Sequence, residues 1–346
     1  KGYNVYRRNS GLNGNLVQLG GLVADTVYRD STGVQDSTYE YQVAAVNKTN
    51  QEGLKSTADS VRVESSFQFI KNFGQQGNGL GQFIVTADIV FDPKGFYWIA
   101  ETNRNKIMKF DTSGSFILEW GTTGTDSGQL NGPYGLDIDS NKNVFVTEWH
   151  GKRIQKFDSA GNFIFSIPDT NGNLMYDLSV DENGFIYVSF EPTSIGERYI
   201  RKYDSVGSFI KAWITSSTYP GPLLARKGKV YCAGAKDVSG RAYPDIVIEI
   251  FDAAGTPINT LNVRKPGETG PVGINDLDID TNGRIYAGDS ENGKVRVLDP
   301  ISGYLTSFGK KGTGPEEFSV IRGIAIGQNS TIAVTDFSTV HIFSLP

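Results

Sequence analysis

An internal repeat constrains the fold of this chain more than any other feature of its sequence. Each copy consists of a short alternating strand, a polar turn containing Asn or Gly, and a second short apolar strand that ends near Glu or Asp. The five copies lie at residues 87–103, 134–150, 176–191, 275–290 and 322–337. The strands are too short for helices and the turn residues tolerate positive φ, so each copy predicts a β-hairpin.

Two further strands follow each hairpin. The third has a shared ending, as in KIMKFD at 106–111 and RIQKFD at 153–158, and a fourth such as SFILEWG comes after a short turn. Four antiparallel strands that recur about every 40–50 residues predict the blades of a β-propeller. The blade at residues 220–261 is degenerate at its start, where PGPLLARKGKVY replaces the usual pattern.

The number of strands predicts six blades in a closed ring. The last unit, residues 316–346, supplies only three strands, whereas FQFIKNFG at 67–74 looks like a fourth strand with no preceding three. We expect residues 67–73 to pair with the last blade, which leaves no open edge. The Gly-rich stretch at 74–82 is then an inter-blade connection and not a phosphate-binding loop, because it lacks Lys and no helix follows it.

The repeat resembles the NHL repeat. The resemblance rests on GQLNGPYGLDID, VFVTE and KRIQKFD within residues 128–158, and it extends over residues 67–346. It implies an all-β fold in which residues 66–346 form a six-bladed NHL-like β-propeller.

Acidic residues recur at the end of the second strand in four blades, a position where NHL repeats commonly carry one. These residues are Glu101, Glu148, Asp289 and Asp336. We expect their carboxylates to accept hydrogen bonds from the turn that follows. A ring of carboxylates that lines the upper face and holds a cation is the alternative.

Residues 1–65 carry a different pattern, which resembles an incomplete fibronectin type III domain. The segments YNVYRR, VYRDSTGV, STYEYQVAAVNKTNQEGLKS and SVRVE resemble strands C, E, F and G of that β-sandwich. The resemblance implies a tyrosine-corner residue at Tyr39 or Tyr41. The first strands of the domain are missing from the sequence. Either truncation removed them, or a neighbouring chain supplies them and so builds a polymer.

Charge and composition exclude several functions. The net charge is −5 and the Lys and Arg residues are scattered singly, which argues against a nucleic-acid partner. The apolar stretches are too short to span a membrane, so we expect no membrane insertion in this segment. The single cysteine, Cys232, lies in an apolar strand pattern and is expected to be a buried thiol. So low a cysteine content suits a bacterial or archaeal surface protein.

Two segments resemble calcium-binding loops, although no cofactor is required by the sequence. DIDTNGRIYAGD at 278–289 fits the first half of an EF-hand loop, which makes Asp278 and Asp280 candidate ligands. PDTNGN at 168–173 offers Asp169 and Asn171. Strand-turn-strand structure explains the first segment and an Asx-rich turn explains the second, and we favour these interpretations over a metal site.

An enzymatic function finds little support in the sequence. Lyases with NHL-like propellers rely on histidines for metal binding or acid-base chemistry, and this chain has only His150 and His341. We expect His341 to be packed within the last apolar strand. One usable histidine cannot supply a three-histidine zinc site, and the GxSxG context of a catalytic serine is absent.

The remaining candidate is a binding surface. In a propeller, the loops between strands two and three and the connections between blades share one face. We expect that face to hold the binding residues, because exposed aromatic side chains beside Arg are typical of recognition sites. The candidates are Asn103, Arg104, Tyr134, Trp149, His150, Tyr219, Arg241, Tyr243 and Arg322.

The sequence therefore predicts an extracellular, non-catalytic module of a bacterial or archaeal cell surface. It would recognise a protein or a glycan through the propeller face, or assemble with copies of itself by strand exchange at the N-terminal sandwich. A metal-dependent lyase or hydrolase that uses the central channel is one alternative, and a sensor domain of a membrane receptor is another. The surface location follows only from analogy with proteins that combine these two domain types.

Overall fold

The computed structural model contains strands and connecting turns throughout. The residues it describes are 2–9, 15–24, 28, 30, 38–62, 67–169, 173–191, 199–217, 219–236 and 242–345. All regular structure in these ranges is β, which confirms the predicted all-β fold, and none of them forms a helix that could cross a membrane. The chain divides into two compact units, Lys1–Ser66 and Phe67–Pro346.

The described residues of the first unit form one antiparallel sheet. Its strands are β1 (Gly2–Asn9), β2 (Val17–Gln18), β3 (Thr38–Val46), β4 (Glu52–Lys55) and β5 (Asp59–Arg62). They lie in the order β2-β1-β3-β4, and β5 also pairs with β3. Tyr39 is buried, and the Tyr41 hydroxyl donates to the carboxylate of Asp30, which also pairs with Arg7. The fibronectin type III assignment stays a prediction.

The second unit begins with β6 (Gln68–Phe73) and continues through the strands of the blades. Blades one and two contain β7 (Thr86–Phe91), β8 (Tyr97–Glu101), β9 (Lys106–Phe110), β10 (Phe116–Trp120), β11 (Pro133–Ile138), β12 (Val144–Glu148), β13 (Arg153–Phe157) and β14 (Phe163–Pro168). Blades three and four contain β15 (Leu174–Val180), β16 (Ile186–Glu191), β17 (Tyr199–Tyr203), β18 (Phe209–Ile214), β19 (Tyr219–Arg226), β20 (Lys229–Lys236), β21 (Asp245–Asp252) and β22 (Pro257–Asn262).

Blade five and the last three strands complete the unit. They are β23 (Ile274–Ile279), β24 (Ile285–Asp289), β25 (Lys294–Asp299), β26 (Gly303–Phe308), β29 (Ile321–Gly327), β30 (Thr331–Asp336) and β31 (Thr339–Ser344). Between them lies a short parallel pair, β27 (Lys310–Lys311) and β28 (Glu317–Phe318). Within the described ranges, this unit has six four-stranded antiparallel sheets, the number that the repeats predict.

The six sheets form a ring. The first strand of each blade contacts the first strand of the next, and β29 of blade six contacts β7 of blade one. Blade six takes its fourth strand from the beginning of the unit, since β6 pairs antiparallel with β31 and places Phe73 opposite Val340. The first strands of all six blades therefore line a central channel.

Aspartates fix the tight turns between strands one and two and between strands three and four. In the first type, the Asp181 carboxylate accepts the N–H groups of Asn183 and Phe185. In the second, Asp158 does the same for Ala160 and Asn162. A side chain that replaces water at these N–H groups stabilises the turn locally, which explains why Asp recurs in the repeat.

Glycines in the turns between strands three and four allow neighbouring blades to approach closely. Gly161 in blade two has φ of 87°, and a Cβ built there would lie 2.5 Å from Cγ of Trp120 in blade one. A Cβ built on Gly255 in blade four would likewise lie 2.5 Å from Cδ2 of Trp213 in blade three. These contacts need both the left-handed backbone conformation and the missing side chain of glycine.

Candidate functional site

Each first strand carries a β-bulge at the same place, near its beginning. The pairing with the second strand shifts there in all six blades. The bulge re-aims the side chains that follow it, and it gives the channel equivalent positions in every blade. The residues at the bulge are Ala87, Tyr134, Tyr176, Gly221, Asn275 and Arg322.

The residue after the bulge is an aspartate in blades one, three and five. Asp88 accepts the N–H of Leu136 in blade two at 2.7 Å, and Asp177 accepts that of Leu223 in blade four at 2.8 Å. Asp276 accepts the N–H of Ile324 in blade six. These three carboxyl groups thus join alternate pairs of blades through hydrogen bonds that cross from one first strand to the next.

Burial disfavours the charged form of these three carboxyl groups. It raises the pKa values of Asp88, Asp177 and Asp276, and the charge of Asp177 raises those of the other two further. Three carboxyl groups that repel one another in a low dielectric hold protons at a pH where a free aspartate has none.

A cavity of about 430 Å³ occupies the channel on the side of the turns between strands one and two. Asp137 and Asp278 line it, and they accept the N–H groups of Val180 and Ile326 from the neighbouring blades. The guanidinium of Arg226, which also lines the cavity, forms an ion pair with Asp137 at 3.0 Å.

The candidate calcium ligands have partners within the chain. Asp278 lines the channel, Asp280 pairs with Arg284, and residues 278–289 form the β23–β24 hairpin, as the strand-turn-strand interpretation required. Asp169 pairs with Arg201, and Asn171 lies outside the described residues. Among the described residues, no three His, Cys, Asp or Glu side chains are grouped in a way that could hold a metal ion.

The acidic residues at the end of strand two clamp the connection that precedes their blade. Glu101 accepts the N–H groups of Ile84 and Val85, and Glu148 accepts that of Asn131. Asp289 and Asp336 do the same for the connections before blades five and six. The prediction placed the donors in the turn that follows. This is confirmed for Glu101 and Asp289, which also accept the N–H groups of Arg104 and Asn292, whereas Glu148 and Asp336 bind the preceding connection. The register of the first hairpin brings the preceding connection to the carboxylate.

Three aromatic rings meet at the other end of the channel, beside the loops between strands two and three. The rings of Tyr134 and Trp149 lie 5.3 Å apart between centroids. Tyr176 lies 5.4 Å from Tyr134 and 6.2 Å from Trp149. All three side chains are half-buried. We call this group the aromatic cluster.

Arg322 and Phe337 of blade six form a second group at the same end of the channel. The Arg322 guanidinium lies 5.0 Å from the centroid of the Phe337 ring, which is exposed. The Nε atom of Arg322 is buried and has no hydrogen-bond partner. Burial raises the pKa of Tyr134, and the positive charge of Arg322 acts against this rise.

The structure brings three predicted binding residues together and places the others apart. Tyr134 and Trp149 belong to the aromatic cluster, and Arg322 lies beside it. Asn103 and His150 are exposed in the loops of blades one and two, and Tyr243 is exposed in blade four. The guanidinium of Arg104 is already paired with Glu119 and the carbonyl of Gln82.

Two predicted residues cannot be placed, and two partners were missed. Arg241 and the side chain of Tyr219 lie outside the described part of the structure. Tyr176 and Phe337 were not predicted. The sequence did carry a signal for them, since they occupy the same repeat positions as Tyr134 and Trp149.

His341 and Cys232 are buried. A ring nitrogen of His341 lies 3.0 Å from the carbonyl oxygen of Pro315, and burial lowers the pKa of the imidazole. Cys232 is a free thiol whose pKa burial raises, so it is unreactive at neutral pH.

Solved structures similar to this chain are β-propellers, whereas no family model and no curated protein matches it. A virginiamycin B lyase from Staphylococcus aureus has a TM-score of 0.53 and 12% identity over 99% of this chain and 100% of its own. A gluconolactonase from Xanthomonas campestris has a TM-score of 0.55 and 12% identity over 77% of this chain and 87% of its own. The WD40 propeller domain of Doa1 has a TM-score of 0.54 and 14% identity over 91% of this chain and 92% of its own.

These likenesses define the class of the protein by fold alone. The chain is a β-propeller protein, as its repeat predicts. Its structural neighbours include a lyase and a gluconolactonase as well as WD40 propellers, so the fold does not decide between an enzyme and a binding module. The finer assignment to NHL repeats stays a prediction.

Proposed function

We propose that this chain is a non-catalytic binding module that recognises a protein or a glycan at the mouth of its central channel, beside the loops between strands two and three. The aromatic cluster with the neighbouring Arg322 carries this proposal. Aromatic rings and arginine are the side chains that most often dominate binding energy at recognition sites. A cell-surface location and assembly with other copies are further predictions from the sequence.

The arrangement of the channel supports binding over catalysis. The inner carboxyl groups accept backbone N–H groups from neighbouring blades, so they hold the ring together and are not free for substrate. Of the two histidines, His341 is buried against a backbone carbonyl and only His150 is exposed. A lyase or hydrolase that uses a metal in the channel is the alternative function.

A glycan and protein array tests the proposal. We expect the wild-type chain to retain ligands that the Trp149→Ala variant loses, with at least about a tenfold change in affinity. Phe209→Ala is the matched control, because Phe209 is an exposed aromatic residue on the fourth strand of blade three, away from the channel. Ligands that bind wild type and Trp149→Ala equally would place recognition elsewhere. A ligand that is converted to product, with loss of turnover in a chelator, would establish the enzymatic alternative.

A further inference from the structure

At the mouth of the channel, blade one carries smaller residues than its neighbours, and we call the region over them the cleft. In blade one the bulge residue is Ala87 and the residue after the clamping carboxylate is Thr102, whereas the neighbouring blades carry large side chains at the same positions. Blade two contributes Tyr134 and Trp149, and blade six contributes Arg322 and Phe337. Two small residues thus separate an aromatic wall from a wall that combines an aromatic ring with a cation.

Arg322 supplies the cation of this cleft. Among the described residues, no carboxylate forms an ion pair with Arg322, and its Nε is buried without a hydrogen bond. A buried donor of a charged group is costly to leave unpaired. The planar guanidinium fork fits a carboxylate with two parallel hydrogen bonds. The guanidinium of Arg322 therefore favours an anionic ligand group.

The backbone of Phe337 adds an independent observation. Its φ is +36°, in a region that a bulky L-residue rarely occupies. Its carbonyl oxygen accepts the N–H of Thr86 in blade one, which helps to hold this conformation, and its ring stays exposed beneath the guanidinium. Strained residues of this kind are concentrated at binding sites, where the surrounding structure supports them.

Aromatic rings beside a cation favour a sugar over a peptide as the ligand. The main-chain carbonyls of Gly132 and Phe337 beside the cleft already accept the N–H groups of Trp149 and Thr86, so they are not free to pair with an extended peptide. Trp149 and Tyr134 are half-buried, and the exposed parts of their rings lie at the mouth of the channel. A pyranose ring that bears a carboxylate presents apolar C–H groups to such faces and a charge to arginine.

We infer that the cleft over blade one binds an acidic saccharide, with Arg322 receiving the carboxylate and the rings of Trp149 and Tyr134 receiving the sugar. This inference rests on the proposed binding function and names its ligand class. Burial raises the pKa values of Asp88 and Asp177 in the adjacent channel, which reduces the negative charge close to the bound carboxylate.

The test compares an anionic ligand with its neutral ester. Oligogalacturonate and its fully methyl-esterified counterpart are titrated into the full chain by calorimetry at low salt. We expect the acid to bind at least about tenfold more tightly than the ester. Arg322→Met should remove this preference, Arg322→Lys should keep part of it, and Trp149→Ala should weaken both ligands. The Phe209→Ala control should bind as wild type does.

Several outcomes would overturn the inference. Equal binding of acid and ester, or no binding of either, contradicts it, as does an Arg322→Met variant that keeps the preference. Tighter binding of an oligoglutamate than of the oligogalacturonate would assign the cleft to acidic peptides instead. If only neutral glycans bind and Trp149→Ala abolishes their binding, the proposed function survives and the acidic ligand class fails. Thermal unfolding of each variant establishes that it is folded. If Arg322→Met does not fold, the preference of Arg322→Lys for the acid over the ester is compared with that of the wild type instead.

Discussion

At the scale of single residues, glycines set the distance between neighbouring blades. Gly161→Ala places a Cβ at 2.5 Å from Trp120 and also strains a backbone with φ of 87°. We expect it to lower the free energy of unfolding by about 3 kcal/mol, of which about 1–2 kcal/mol comes from the left-handed conformation and the rest from the clash. Urea unfolding followed by tryptophan fluorescence measures this loss.

Gly283→Ala is the matched control for the clash. Gly283 has φ of 84° in the turn between strands one and two of blade five, and a Cβ there would meet no atom within 4 Å. The variant should therefore lose only the conformational contribution. Equal losses in the two variants would show that Trp120 moves aside without cost, and that the inter-blade contact does not need a glycine.

Single residues also show how far the sequence could predict the site. Tyr134, Trp149 and Arg322 could be chosen because the repeat places them at loops and strand ends of one face. Their arrangement around Ala87 could not, because it depends on which blades are neighbours in the closed ring and on the bulge in each first strand. The hydrogen bond from Leu136 of blade two to Asp88 depends on the same stagger between strands.

At the scale of the blade, the clamp on the preceding connection can be supplied by more than one strand. In blade four the second strand has Gly234 where blade two has Glu148. Glu249 of the third strand takes over, because its carboxylate accepts the N–H groups of Ser216 and Ser217 and the Ser217 hydroxyl. The start of this blade looks degenerate in sequence, yet the same connection is held.

The clamp of blade four predicts a large effect of one substitution. Glu249→Ala leaves buried donors without a charged acceptor, and we expect a loss of about 3 kcal/mol in the free energy of unfolding. Glu249→Gln keeps one acceptor oxygen and should lose about half as much. The control is Glu182→Ala, since Glu182 is exposed and accepts one backbone N–H, from Lys227. A loss for Glu249→Ala no larger than that of this control would mean that water replaces the carboxylate.

At the scale of the whole molecule, the channel carboxyl groups couple the stability of the ring to pH. The folded state holds extra protons, because the pKa of Asp177 is raised from 3.8 to about 7 and that of Asp278 to about 6. A group with a raised folded-state pKa stabilises fully below its unfolded pKa and loses that contribution as the pH rises through the folded value. Stability should therefore fall between about pH 5 and pH 8.

Other titratable groups change the stability mainly outside the range from pH 5 to pH 8, or only weakly within it. The turn aspartates such as Asp158 and Asp204 have lowered pKa values, so their contribution is lost only as the pH falls below about 4. His341 has a lowered pKa, so its contribution to stability rises with pH and opposes the trend. The channel holds more than one excess proton, so the decline above pH 5 should dominate.

Urea unfolding at a series of pH values between 4 and 8 tests this coupling of the ring to its channel. Each excess proton contributes a slope of about 1.4 kcal/mol per pH unit, so we expect a total decrease of at least about 2 kcal/mol. Asp177→Asn cannot ionise and should flatten the slope, whatever it does to stability at one pH. Asp126→Asn, at an exposed position, should leave the slope unchanged. A stability that is constant or rises from pH 5 to 8 in the wild-type chain would show that the channel carboxylates are charged in the folded protein, and that the hydrogen bonds from neighbouring blades outweigh their burial.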